Sequence, residues 1–184
     1  DTPGGSVKSG LSMVDVMNYL RDVRLDHAIN YNMKNLETLL DQFESRIPLF
    51  AKENSEISKS NVGWHIEHSL LTINGITTVI LRSNPKEYQW KFSLGKLLIF
   101  ILGKIPRGKA KAPQIVVPNS AIDLHSLQEH IIKSRNSLKE LESLSNNHYF
   151  EHPFLGKLKK KDTIRFLEIH TNHHLKIIED IIKL

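Results

Sequence analysis

Apolar positions along the chain recur mostly at three- and four-residue intervals, the period of an amphipathic helix and not of a strand. Met13, Val16, Met17, Leu20 and Val23 mark a short amphipathic helix after Ser12. Leu36, Leu39, Leu40, Phe43, Ile47 and Phe50 then give the first of four longer helices its apolar stripe. The second carries Val62, Ile66, Ile73, Ile76 and Ile80, with Ser60 as the expected N-cap and Asn84-Pro85 as the stop. In the third, from about residue 123 to 144, Leu124, Leu127, Ile131, Ser134, Leu138, Leu141 and Leu144 alternate three and four apart, a seam that packs helix on helix. The fourth, from about residue 162 to 182, holds Phe166, Leu167, Ile177, Ile178 and Ile181. Strand-like alternation is scarce.

A long connection, roughly residues 85 to 121, separates the second and third of these helices. Its apolar segment Leu94 to Leu102 reads as a short helix, and Lys104-Ile105-Pro106-Arg107-Gly108-Lys109-Ala110-Lys111-Ala112-Pro113 reads as a loop. The expected architecture is all-α: a bundle of four main helices with one long crossover and an extra N-terminal helical segment. Residues 1–32 form an N-terminal tail or extension and 33–184 the bundle domain, Met33 being one candidate native start.

Composition narrows the chemistry. The 184 residues suit one domain with a sizeable core. There is no cysteine, so disulfides and thiolate ligands are excluded and any strong metal ligand is histidine or carboxylate. A net charge of +5 favours anionic partners only modestly, and basic and aromatic residues do not interleave as a nucleic-acid groove requires. Nucleic acid is therefore not expected as a partner. The apolar run at residues 94–102 is far short of the roughly 20 residues that span a bilayer, so no membrane partner is expected either. No basic-then-apolar leader opens the chain, and cytoplasm is the expected location. Trp64, Trp90 and Phe92 are expected in the core.

Histidine is where the chemistry concentrates, with ten in the chain. His170 and His174 lie four apart, one above the other on a helix face, in the middle of the stripe made by Leu167, Ile177 and Ile181. His173 falls at the stripe's edge, as a pocket residue. Two histidines at this spacing either pack in the core, each satisfied by a hydrogen bond, or ligate one ion. The second helix offers a third ligand in His65 or His68, and helical angle alone leaves both open. His68 heads a row of Thr72, Gly75 and Val79, whose small size leaves room for a ligand.

Three motifs together resemble the DinB/YfiT-like metal-dependent family, over roughly residues 33 to 184. They are Val62-Gly63-Trp64-His65-Ile66-Glu67-His68, His152-Pro153-Phe154-Leu155-Gly156-Lys157-Leu158 and His170-Thr171-Asn172-His173-His174. The resemblance implies a DinB-like four-helix bundle and a metal set of His68, His170 and His174, with His65 in reserve. Many relatives place an acidic residue soon after the first histidine; this chain continues Ser69-Leu70-Leu71, so no acid/base step carries over.

Three neutral imidazoles suit zinc or nickel and leave positions for water or substrate. No glutamate adjoins His170 as in the His-Glu-x-x-His proteases, which disfavours peptide hydrolysis. The resemblance implies a metal-dependent thiol S-transferase or hydrolase using a low-molecular-weight thiol; the rival reading is a non-catalytic metal-binding or stress-response bundle. The expected partner is a small anionic or electrophilic substrate, and a homodimer is admissible. His65, His173, Tyr149 and His152 are pocket candidates, while Arg107, Lys109 and Lys111 are candidates for binding an anion.

Overall fold

Ser12 starts the first helix with a reciprocal cap: its hydroxyl accepts from the Asp15 amide at 3.2 Å and its own amide donates to the Asp15 carboxylate at 3.1 Å. The computed structural model describes residues 12–108, 112–118 and 121–183. Helix α1 runs unbroken from Met13 to Arg46, so the short amphipathic helix and the first long helix are one. No glycine or proline lies between them to break it, and Pro48 in a short 3-10 turn ends it. Thirty-four residues make α1 about 50 Å long. Its buried positions begin only at Ile29, with Leu25 packed at the edge of the core; the first turns present Met13, Met17 and Tyr19 to solvent.

Helix α2, Val62–Leu81, is capped by Asn61, not Ser60. The Asn61 side chain accepts from the Trp64 amide at 2.9 Å, while the Ser60 amide is turned back onto the Ser58 hydroxyl. The amides of Val62 and Gly63 bond the carbonyls of Lys52 and Phe50 at 2.9 and 2.8 Å, so the start of α2 is sewn to the segment that follows the 3-10 turn. After Asn84-Pro85 the crossover contains α3, Leu94–Leu102, closed by Gly103 at φ +61°, and a 3-10 turn at Gln114–Val116. Asp123 caps α4, Leu124–Ser143, by the same reciprocal arrangement with Ser126.

One element departs from an all-helical chain. Strands β1, Tyr149–His152, and β2, Gly156–Lys159, pair antiparallel, Tyr149 opposite Lys159 and His152 opposite Gly156. Four residues per strand are too few to show a period of two. Gly156 makes the turn at φ +72°. Helix α5, Lys160–Lys183, follows directly.

Helices α1, α2, α4 and α5 pack in a ring, α1 beside α4 and α5, and α2 beside the same two. The apolar stripes meet inside it: Leu36, Leu40 and Phe43 of α1, Ile66, Leu70 and Ile73 of α2, Leu127, Ile131 and Leu138 of α4, and Leu167 and Ile178 of α5 are fully buried. The α4 seam is buried from Leu127 to Leu141, but Leu124 is exposed. The row below His68 turns outward: Thr72 is buried and bonds the His68 carbonyl, whereas Gly75 and Val79 face solvent and leave no internal pocket. Trp90 and Phe92 are exposed as well, because the extended segment carrying them lies outside the ring.

Candidate metal centre

Helices α2 and α5 are neighbours, and their facing positions bring four histidines together. One helical turn separates His170 from His174 and sets their ring centres 4.7 Å apart, tilted 59° to one another. His68, from the second turn of α2, lies 5.1 Å from His170 and 4.7 Å from His174, ring to ring. Each of the three offers a nitrogen within 4.8 Å of the others, an opening that a tetrahedral set would draw in to about 3.4 Å. His68 and His174 are buried and His170 half-buried.

Hydrogen bonds decide which nitrogens are free. His68 Nδ1 meets the Val116 carbonyl at 2.7 Å; a carbonyl only accepts, so Nδ1 carries the hydrogen and Nε2 keeps a lone pair. His174 uses Nδ1 against His65 Nδ1 at 3.0 Å, which leaves its Nε2 free. His170 Nδ1 is buried without any partner, an unusual state for an imidazole nitrogen. Trp64 stacks flat on His68, ring centres 5.0 Å apart and planes 14° from parallel, so it braces that imidazole instead of filling the core.

The electrostatics keep these rings neutral. Burial, and then the neighbouring imidazoles, push His170 and His174 well below the usual histidine range. Burial lowers His68 too, opposed by its bond to Val116. For His65, burial with His68, His173 and Arg107 nearby brings the value down to about 4. Neutral imidazole is the form that binds a divalent ion, so the set is deprotonated in advance. Among the described residues no carboxylate joins it. The buried carboxylate nearest in sequence, Glu67, turns to α4 and pairs with His130 at 2.8 Å.

The other expected site residues divide. His65 stands behind His174, with its Nε2 2.9 Å from the Ser58 hydroxyl. His152 sits on β1 with its ring 4.8 Å from Phe166, which in turn lies 5.7 Å from His170; its Nδ1 accepts the amides of Phe154 and Leu155 and shapes the hairpin turn. His173 borders a cleft of about 410 Å3 between residues 102–107 and the face of α5 carrying Ile169, Asn172 and Lys176. Arg107 lines that cleft and pairs with Asp180 at 2.8 Å. Tyr149 goes elsewhere, its ring packed on Tyr88 and under the Lys157 ammonium, because β1 turns it away from α5. Lys109 and Lys111 lie outside the described residues. Two partners had no signal in the sequence: Val116 acts through its backbone, and Ser58 is a loop serine with nothing to distinguish it.

Residues 99–180 match the model of a family described as "Protein of unknown function (DUF1569)". The matched stretch includes His170 and His174 but begins after His68. No curated protein and no solved structure matches the chain.

Proposed function

We propose that this chain is a DinB-like bundle that holds one divalent ion, zinc or nickel, through His68, His170 and His174 and works as a metal-dependent thiol S-transferase. The observation that carries the reading is the convergence of three neutral imidazoles, each with a nitrogen within 4.8 Å of the others, while Val116 holds the hydrogen of His68 on the far side of its ring. The orphaned Nδ1 of His170 fits the same group, since a buried lone pair without a donor is what an ion would satisfy. A bound ion supplies Lewis-acid polarisation and lowers the pKa of a thiol or a water.

Thiol transfer is favoured over hydrolysis by what the surrounding residues lack. Peptide hydrolysis of the His-Glu-x-x-His kind uses a glutamate base beside the ion, and Glu67, the one carboxylate on α2, is committed to His130. A thiol that ionises on binding needs no such base. His65 orients His174, Trp64 excludes water from one face of His68, and Arg107 with Lys104 and Lys176 offers positive charge to an anionic substrate in the adjoining cleft.

Metal analysis of tag-free protein tests the site, with one equivalent of zinc or nickel expected and its loss on His170→Ala. Absence of stoichiometric metal overturns the reading. Incubating the loaded protein with small thiols and electrophiles then tests the reaction: thioether formation that depends on the ion supports transfer, and a full metal complement with no turnover favours the non-catalytic bundle.

A further inference from the structure

The positive charge of this protein is concentrated in the crossover. Residues 88–122 contain six lysines and arginines and no acidic residue, so with these six removed from the +5 total the remaining chain stands at −1. The same stretch carries the most exposed apolar helix of the structure. Leu94, Leu97, Leu98, Ile101 and Leu102 fall at successive turns of α3 and all face solvent, Ile101 being 71% exposed. Ile99 and Phe100 on the opposite side pack against the core, so the outward stripe is held on a fixed base. Lys96 strengthens that base by pairing with Asp162 of α5.

Aromatic residues extend the stripe. Trp90, 69% exposed, and Phe92 lead into α3, and Phe154 of the hairpin turn lies beside its start, where Gly95 lets the helix approach: a Cβ there would come within 3.2 Å of the Phe154 carbonyl. Lys91 and Lys104 flank the helix at its two ends and are themselves exposed.

We propose that α3 with Trp90, Phe92 and Phe154 is a docking face for an anionic lipid surface, lying in the interface with its leucines and Ile101 among the acyl chains and its lysines at the headgroups. Nine residues cannot cross a bilayer, and no helix among the described residues is long and apolar enough to do so; the expectation of no membrane partner rested on spanning, which is a different requirement from lying on the surface. Aromatic side chains beside lysines are the pattern that settles at the headgroup level. Charge argues for lipid over a second copy of the chain. A two-fold contact sets a patch against itself, which would bring Lys91 and Lys104 against like charges, whereas an anionic surface complements them. The face needs no metal, but it adjoins the proposed substrate cleft, since Leu102 and Lys104 border both, and the same crossover carries Val116, which meets His68.

The test is sedimentation of the full chain with vesicles of phosphatidylcholine, alone or mixed with phosphatidylglycerol. Binding to the mixed vesicles is expected, weakened by salt and at least roughly tenfold weaker to phosphatidylcholine alone. Trp90 emission should shift to the blue on binding, and Trp90→Phe should remove that shift, leaving only Trp64. Leu98→Glu with Ile101→Glu should abolish sedimentation at unchanged helix content, and Lys91→Gln with Lys104→Gln should weaken it roughly thirtyfold. Absence of binding to the mixed vesicles overturns the proposal. So does binding indifferent to the two glutamates, or a dimer in the ultracentrifuge that those glutamates split into monomers.

Discussion

His65 and His174 meet nitrogen to nitrogen, Nδ1 to Nδ1 at 3.0 Å, so the two rings share a single hydrogen. If His174 Nε2 is to keep its lone pair for an ion, that hydrogen sits on His174 Nδ1 and is donated to His65. His65 then carries its own hydrogen on Nε2 and donates to the Ser58 hydroxyl 2.9 Å away, which also accepts the Ser60 amide. One proton arrangement satisfies the whole row from Ser58 to His174. On the proposed reading His65 is thus a positioning residue for the candidate metal set, fixing the tautomer and ring orientation of His174.

From this follows a graded loss of metal affinity. His65→Ala is expected to weaken zinc binding by about ten- to a hundredfold in a chelator competition, and Ser58→Ala to act in the same direction but less. His170→Ala, by contrast, should abolish stoichiometric binding. A His65→Ala variant that loses metal as completely as His170→Ala would make His65 a ligand; one that binds as tightly as wild type would remove its orienting role.

Acid should destabilise the metal-free protein in a defined window. His152 and His65 are both held down to about 4 in the fold, chiefly by burial, whereas in the unfolded chain they titrate near 6.5. Between these values the unfolded state binds more protons than the folded one. Stability is therefore full above about pH 6.5 and falls as the pH drops towards about 4, with His170 and His174 acting in the same direction. Urea midpoints of apoprotein at about pH 7.5 and about pH 5 should show the drop. His152→Asn keeps an acceptor for the Phe154 and Leu155 amides and removes the titration, so its drop should be smaller; pH curves parallel to wild type would contradict the assignment.

What could be read from the chain follows from how local each signal is. The period of α4 and α5 needs only side chains on one helix, and the buried sets Leu127 to Leu141 and Phe166 to Ile181 agree with it. The four-residue spacing of His170 and His174 is likewise local and does bring their rings side by side. Caps are a finer matter: Ser60 and Asn61 are equally good on paper, and the choice falls to Asn61 because the Ser60 amide is drawn to Ser58. Continuity of α1 was hidden because its first turns present apolar residues to solvent, not to a core. Helical angle left His65 and His68 equal and only the resemblance put His68 first; the contact that sets His68 apart is with the Val116 carbonyl, some fifty residues away along the chain.

Lys160 offers a test of how the last helix is joined to α4. Its side chain is almost wholly buried, and its ammonium donates to the carbonyls of Glu142 and Leu144 at 2.6 and 2.8 Å, two of the unpaired acceptors at the end of α4. Lys160→Met keeps the length and apolar stem but leaves those carbonyls without a donor. The expected cost is about 2 kcal/mol in urea unfolding. A variant as stable as wild type would mean that water reaches those carbonyls.

Gly63 links stability to the metal site. A Cβ at this position would lie 3.1 Å from the Phe50 carbonyl and 3.2 Å from both Phe50 Cβ and Ile122 Cγ2, tighter than ordinary packing on two sides, and the backbone is pinned by the Gly63 amide bond to Phe50. Gly63→Ala gains helix propensity, worth about 1 kcal/mol, yet must push the first turn of α2 off Phe50 or displace Ile122. His65 and His68 ride on the next turn, and ring positions set to within about half an ångström matter for a metal set. The expected result is a net loss of about 1–2 kcal/mol in stability together with zinc binding weakened several-fold, measured where the variant is fully folded. Loss of stability alone would show that α2 tilts without moving His68 relative to α5. A variant stabilised by the alanine would show that Ile122 gives way freely, and the close approach at Phe50 would then carry no constraint on the site.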